Sequence, residues 1–327
     1  MHHVRNQSTV YSMGDFGQYV VKDFIEQYKV KGDREYETTQ LLSLKDMSDH
    51  GTQKFVVAIA RTVPLDMSGS AFATQRALCT LADFFKNPKV APGLTRGVAL
   101  NGVMEALTWL HTKGAAHGDI KPDNVFVPPS GDRVFLADFG LSCIMRNSTR
   151  KLAPASGTVS HRFLWLSGVT KQYNDAHSFG LMFANTLVPA KHGGRLFTGD
   201  VVKTLGQEAT TQEVFEQFLE YKLRGPGSMY LPYLYKALRR DPNSQSNPMD
   251  AKCALLSLRA ATEAMMAKEK AEFKRPSENR GQAPPSKRVK IQAVIVPAAP
   301  AKPIPLTKCQ KRARQRRRSK AKRKKNV

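Results

Sequence analysis

The run His117-Gly118-Asp119-Ile120-Lys121-Pro122-Asp123-Asn124 constrains this chain more than any other stretch, and Asp138-Phe139-Gly140 follows fourteen residues after Asn124. Between the two, Val125-Phe126-Val127 and Val134-Phe135-Leu136-Ala137 flank a Pro-Pro-Ser-Gly-Asp turn. They read as the strands of a β-hairpin. The two motifs set two carboxylates, a lysine and an asparagine around one polyphosphate. Asp119 can accept the proton of an attacking hydroxyl, Lys121 can neutralise charge on a moving phosphoryl group, and Asn124 with Asp138 can hold Mg²⁺.

These strings resemble the catalytic loop and the metal-binding loop of eukaryotic-type protein kinases, and the resemblance covers roughly residues 3 to 268. It implies an α+β fold of two lobes, a small β-rich N-lobe over about residues 1–78 and a mainly helical C-lobe over about 79–270, followed by a tail at 271–327. It also implies ATP and Mg²⁺ as cofactors and protein hydroxyls as acceptors. Lys121 favours serine or threonine, since kinases for those residues keep a lysine two positions after the catalytic aspartate.

The resemblance continues towards the N-terminus. Gly14-Asp15-Phe16-Gly17 invites reading as a phosphate loop, but only Lys31 would then lie far enough along to be the phosphate-binding lysine. The register taken instead makes Ser8-Thr9-Val10-Tyr11 the start of strand two. Tyr19-Val20-Val21-Lys22 then falls at the family's Val-Ala-Ile-Lys position, with Lys22 gripping the α- and β-phosphates. Glu37 is preferred to Glu35 as its partner, because Leu41 and Leu44 follow it at i+4 and i+7 on one helical face. Strands four and five are expected at Phe55–Ala60 and Ala71–Gln75, with a hinge at Arg76–Cys79. Val10 and Val20 would cover the adenine from above and Phe126 from below. His3 to Ser8 stand where the family has glycines.

Leu100, Val103, Met104, Leu107 and Leu110 recur at helical spacing within a helix expected over Thr95–Thr112. Gly118 replaces the arginine of the family's His-Arg-Asp. That arginine commonly meets a phosphorylated residue, so its loss implies constitutive activity, independent of Ser148, Thr149, Ser156 and Ser160. Gly157-Thr158 matches the family's Gly-Thr. Asp175-Ala176-His177-Ser178-Phe179-Gly180 matches Asp-x-Trp-Ser-Phe-Gly, where the buried aspartate supports the catalytic loop. Phe163-Leu164-Trp165 stands at the Ala-Pro-Glu position and Gln245 where an arginine is expected, so both partners of a buried ion pair are absent together. That is the cheaper change, since orphaning one would cost about 3–5 kcal/mol. Closing helices are expected at 214–223, 231–239 and 251–270.

Charge is uneven. Lys274 to Val327 holds 19 Lys/Arg against Glu278 alone, so the tail supplies +18 of the net +24. Rich in Pro and Ala and nearly free of aromatics, it is expected to be disordered. Ser286-Lys287-Arg288-Val289-Lys290 resembles a nuclear-import signal, and Lys311 to Lys325 is a longer basic run. An import receptor and nucleic acid are the expected partners. The latter would bind through phosphates and without sequence preference. Cys79, Cys143, Cys253 and Cys309 lie far apart, which suggests neither zinc nor a disulfide framework. No apolar run approaches the ~20 residues of a membrane span. The expected compartment is the nucleus, with the cytoplasm the other candidate. Compact lobes and missing glycines resemble kinases of large DNA viruses. Two other readings share these motifs: a small-molecule kinase of the aminoglycoside-phosphotransferase type, and a non-catalytic scaffold with a nucleic-acid-binding tail.

Overall fold

Antiparallel pairing organises the first part of the chain. The computed structural model describes residues 3–5, 8–12, 19–57, 59–60, 71–144, 170–188, 212–238 and 248–274, all within one compact unit, Met1–Arg275. A five-stranded sheet takes β1 (His3–Arg5), β2 (Ser8–Ser12), β3 (Tyr19–Phe24), β4 (Ile59–Ala60) and β5 (Ala71–Gln75) in the order β1-β2-β3-β5-β4. Val10 pairs with Lys22 and Lys22 with Phe72. Strand alternation puts Val20, Lys22 and Phe24 on one face and Val21 on the other. Phe24 and Phe72 pack with Tyr36 of helix α1 (Lys29–His50), whereas Val21 packs on Ala71 and Ala73. Lys22 therefore faces the side of the sheet that α1 covers.

Strand four is shorter than expected. Among the described residues of this stretch only Ile59–Ala60 joins the sheet, and the N–H groups of Lys54, Phe55 and Val56 all donate instead to the buried carboxylate of Asp46, at 2.7 to 2.9 Å. Groups spent on a side chain are not available to a ladder.

The remainder is mainly helical. After β6 (Cys79–Thr80), helix α2 (Leu81–Lys86) opens on a capping box between Thr80 and Asp83. Helix α3 (Arg96–Thr112) has Thr95 as N-cap, its hydroxyl accepting from Val98 N–H at 3.3 Å. Short strands follow: β7 (Ala115–Ala116), β8 (Val125–Val127), β9 (Phe135–Leu136) and β10 (Cys143–Ile144). Strands β8 and β9 form the expected hairpin, with Val125 opposite Leu136. Helices α4 (Lys171–Leu187), α5 (Gln212–Lys222), α6 (Leu231–Ala237) and α7 (Pro248–Lys274) complete the described chain, and α7 runs four residues past the expected boundary at 270.

The apolar stripe of α3 (Leu100, Val103, Met104, Leu107, Leu110) is buried in one core with Phe179, Met182 and Phe183 of α4, Leu234 of α6 and Leu258 of α7. Glu269 of α7 reaches back to the start of α3, accepting from the Thr95 hydroxyl at 2.6 Å and from Gly97 N–H at 3.0 Å. A Cβ at Gly97 would lie 2.7 Å from that carboxylate and 3.0 Å from the Met266 backbone nitrogen, which favours glycine there. Among the described residues, no helix is long and apolar enough to cross a membrane, and Cys79, Cys143 and Cys253 are free thiols. Gly14–Gly17, Ser148, Thr149, Ser156, Ser160, Gly157-Thr158, Phe163–Trp165, Gln245 and the basic tail lie outside the described residues.

Candidate active site

The β8–β9 hairpin returns the chain to where it left, so the residues on either side of it meet. Asn124 ends a 3-10 turn, Pro122–Asn124, that leads into β8, while Asp138 comes two residues after the end of β9 at Leu136. Ala137 N–H donates to Asn124 C=O at 3.0 Å and closes the base of the hairpin.

Asp119, Lys121 and Asn124 form one hydrogen-bonded group. Lys121 Nζ donates to Asp119 Oδ2 at 2.6 Å, and Asn124 Nδ2 donates to the same oxygen at 3.0 Å and to the Asp119 carbonyl at 2.9 Å. These bonds fix which way the Asn124 amide points. Its Oδ1 is left buried with no hydrogen-bond partner. A buried unpaired amide oxygen is costly, and it is also the donor a hard cation takes. With the Asp138 carboxylate, Asn124 Oδ1 forms an oxygen-only set that fits Mg²⁺, which keeps most of its shell as water and phosphate oxygens. No group of three His, Cys, Asp or Glu side chains gathers for a metal among the described residues.

Asp138 is the one described non-glycine residue with positive φ, at 62°. Such a left-handed carboxylate residue costs about 1–3 kcal/mol and persists where its surroundings hold it. Phe139 supplies part of that hold: it is buried and packs against the His117 ring, tilted by 50° with the centroids 4.8 Å apart. The His117 ring is itself oriented, with Nδ1 accepting from Asp119 N–H at 3.3 Å and Nε2 donating to Ala137 C=O at 2.9 Å.

Below the loop sits Asp175 of α4, fully buried. It accepts from His117 N–H at 2.7 Å and Gly118 N–H at 2.8 Å, with His111 of α3 at 3.1 Å. Gly118 has φ 84°, and a Cβ there would lie 2.6 Å from the Leu141 carbonyl oxygen, so the loop and the segment after Asp138 approach too closely for any side chain. Ser142 Oγ donates to His117 C=O at 2.8 Å, and β10 pairs antiparallel with β7. His177, where the family has tryptophan, is buried, and burial pulls its pKa down to about 3, which keeps it neutral.

The Lys22 partner differs from expectation. Lys22 Nζ lies 2.6 and 2.8 Å from the two Glu35 carboxylate oxygens and 3.1 Å from Asp138 Oδ1. Glu37 is exposed, with Leu41 and Leu44 beside it at 42% and 62% exposure. The helix was expected here, but the apolar trio lies on its outer face. The face that turns inward carries Glu35, Thr39, Leu42 and Asp46, three of them polar, so hydrophobic spacing pointed the wrong way. Lys31, the alternative lysine, is exposed and lies over the Tyr28 ring.

Two carboxylates around one ammonium leave this cluster short of positive charge. Burial and the neighbouring Asp138 charge push Glu35 up to about 7 against the pull of Lys22. Burial works to lower the Lys22 pKa, but Asp138 and Glu35 outweigh it and move it upward. A Cβ on Gly140 would sit 3.0 Å from Glu35 Oε2, so glycine there lets the Glu35 carboxylate approach Asp138. Of the expected adenine contacts, Val20 is on the Lys22 face of β3, Val10 occupies the register position opposite Lys22, and Phe126 packs half-buried on Val57, Phe135 and Ala137.

Comparison with known proteins gives a consistent picture. Residues 29–223 match the family described as Protein kinase domain. The chain is 26% identical over 117 residues to a probable serine/threonine-protein kinase HAL5-like of Vanderwaltozyma polyspora, covering 33% of this chain and 15% of that protein. It is 39% identical over 59 residues to serine/threonine-protein kinase GRIK1 of Arabidopsis thaliana, covering 18% and 15%. With cyclin-dependent kinase D-1 of the same plant it shares 31% over 106 residues, covering 32% and 26%. The chain thus spans about a quarter or less of each of these relatives.

Proposed function

The chain belongs to the protein kinase domain family, and on that footing we propose that it is a serine/threonine protein kinase using ATP and Mg²⁺. The observation that carries the reading is the Asp119, Lys121 and Asn124 group, with Asn124 Oδ1 buried and unbonded above it. Asp119 orients the acceptor hydroxyl and takes its proton. Lys121, already 2.6 Å from Asp119, stabilises the charge that gathers on the transferred phosphoryl group. Lys22, held by Glu35, directs its ammonium at the nucleotide phosphates. Asn124 and Asp138 would hold Mg²⁺, whose contribution is to neutralise phosphate charge as the bond to the leaving oxygen breaks. Lys121 and the similarity to two serine/threonine-protein kinases support serine or threonine as acceptor.

Incubation with labelled ATP, Mg²⁺ and a basic protein substrate tests this, beside an Asp119→Asn control. Label on serine or threonine that disappears in the control is the expected result. Label on small molecules alone, or none, overturns it.

The proposal extends to the tail, whose +18 suits a nuclear-import receptor and non-specific contact with nucleic acid. A chain ending at Phe273 should stay out of the nucleus and lose low-salt binding to nucleic acid. If it still entered nuclei, the assignment of the tail would be wrong.

A further inference from the structure

Asp46 is fully buried, yet it lies three turns from Glu35 on the same inward face of α1 and outside the catalytic group. One of its oxygens, Oδ2, accepts three consecutive backbone N–H groups, from Lys54 at 2.9 Å, Phe55 at 2.7 Å and Val56 at 2.9 Å. The other, Oδ1, faces His50 Nδ1 at 3.0 Å. So complete a set of partners holds the end of α1 rigidly to residues 54–56.

Those residues are in turn bonded to the strand that leads to Asp138. Leu136 N–H donates to Phe55 C=O at 2.8 Å, Val57 N–H donates to Leu136 C=O at 3.3 Å, and Val56 forms a parallel bridge with Leu136. Asp138 comes two residues later. The path from Glu35 to Asp138 therefore runs down a helix, through one carboxylate, across a linker and along β9. Helix and strand are stiff, and backbone hydrogen bonds fix the rest.

We propose that Asp46 is a positioning residue for phosphoryl transfer: by tying α1 to the linker on β9, it sets Glu35 at the distance from Asp138 at which one lysine, Lys22, reaches both. The inference rests on the kinase reading of the site. It assigns Asp46 no contact with nucleotide or acceptor. Its effect passes through Glu35, so a shift of α1 matters only while Glu35 is there to be misplaced.

That condition makes the idea testable. Initial rates at varied ATP are measured for the full chain and for Asp46→Ala, Asp46→Asn, Glu35→Gln and the Asp46→Ala/Glu35→Gln double variant, well below the lowest melting temperature. Asp46→Ala leaves three N–H groups without an acceptor and is expected to lower kcat/KM for ATP by about tenfold or more. Asp46→Asn keeps an oxygen for the three donors and can turn its NH₂ to His50, so it should recover to within about threefold of the parent. In the Glu35→Gln background, Asp46→Ala should cost less than about twofold more, because residues acting as one unit are not additive. Where Asp46→Ala does not fold, Asp46→Ser replaces it under the same expectations, its hydroxyl being too short to serve all three donors.

An active parent with an unimpaired Asp46→Ala variant overturns the proposal. So does a loss that multiplies fully with that of Glu35→Gln, which would mark Asp46 as a support of general stability. A parent with no transfer at all overturns the kinase reading itself, a result distinct from either.

Discussion

Above about pH 7, where Glu35 is ionised, its replacement by glutamine removes the carboxylate charge that holds Lys22 while keeping the side chain's length. In the parent protein Lys22 Nζ is 2.6 Å from Glu35 and 3.1 Å from Asp138. Without the first partner, the ammonium is drawn to the second and competes for the oxygen proposed above to hold Mg²⁺. Glu35 is 5% exposed and Lys22 20%, so this is a largely desolvated charge-assisted pair, outside the class of weak surface bridges. Hydrogen bonds to charged groups contribute about 1.5–3 kcal/mol. At 1.36 kcal/mol per factor of ten, losing that much transition-state stabilisation lowers kcat/KM for ATP by roughly 10- to 150-fold. Glu37→Gln changes an exposed side chain and should stay within about twofold. Both variants are compared with the parent by initial rates over a range of ATP concentrations. An equal loss in the two, or a loss confined to Glu37→Gln, would refute the assignment of Glu35.

The same carboxylate predicts a pH dependence. Glu35 holds its proton to about pH 7, against 4.5 for the free side chain, so the native state binds more protons than the unfolded one between those values. The stability this lends is complete below pH 4.5 and declines as pH rises towards 7, by up to about 1.4 kcal/mol per pH unit. Urea titrations in metal-free buffer should show that slope in the parent and not in Glu35→Gln; identical slopes would contradict it. Gly118→Ala forces a Cβ to 2.6 Å from Leu141 O at φ 84° and should cost about 1–3 kcal/mol, with loss of transfer; an unchanged melting temperature would refute the close approach. Glu269→Ala removes the acceptor for Thr95 and Gly97 at the start of α3 and should cost about 0.5–2 kcal/mol by denaturant titration. A neutral result would mean that the cap contributes nothing.

The parts of the site that were legible in the sequence are those encoded contiguously. The catalytic loop, the hairpin and Asp138 occupy one short stretch, and spacing alone brings them together. The helix of α3 was legible because its buried residues are all apolar. Helix α1 was legible as a helix but not in its orientation, since its inner face carries Glu35, Thr39, Ser43 and Asp46. Apolar periodicity cannot find a face whose burial is satisfied by hydrogen bonds. Strand four failed for a related reason. Phe55 and Val56 have the composition of a strand, but their N–H groups go to an aspartate nine and ten residues earlier. Long-range side-chain acceptors leave no pattern in composition. Asp46 itself could have been suspected only as a carboxylate on a stripe otherwise turned to the interior.

The close passage of Gly118 beneath Leu141 also limits what can stand at that position. Kinases that this chain resembles have an arginine at that position. Here the space that arginine's first carbon would need is filled by main chain, and the local geometry is one that only glycine enters freely. A side chain of any kind there requires the backbone around Leu141 to be rerouted. The Gly118 turn and the segment after Asp138 therefore meet at a fixed junction, main chain against main chain.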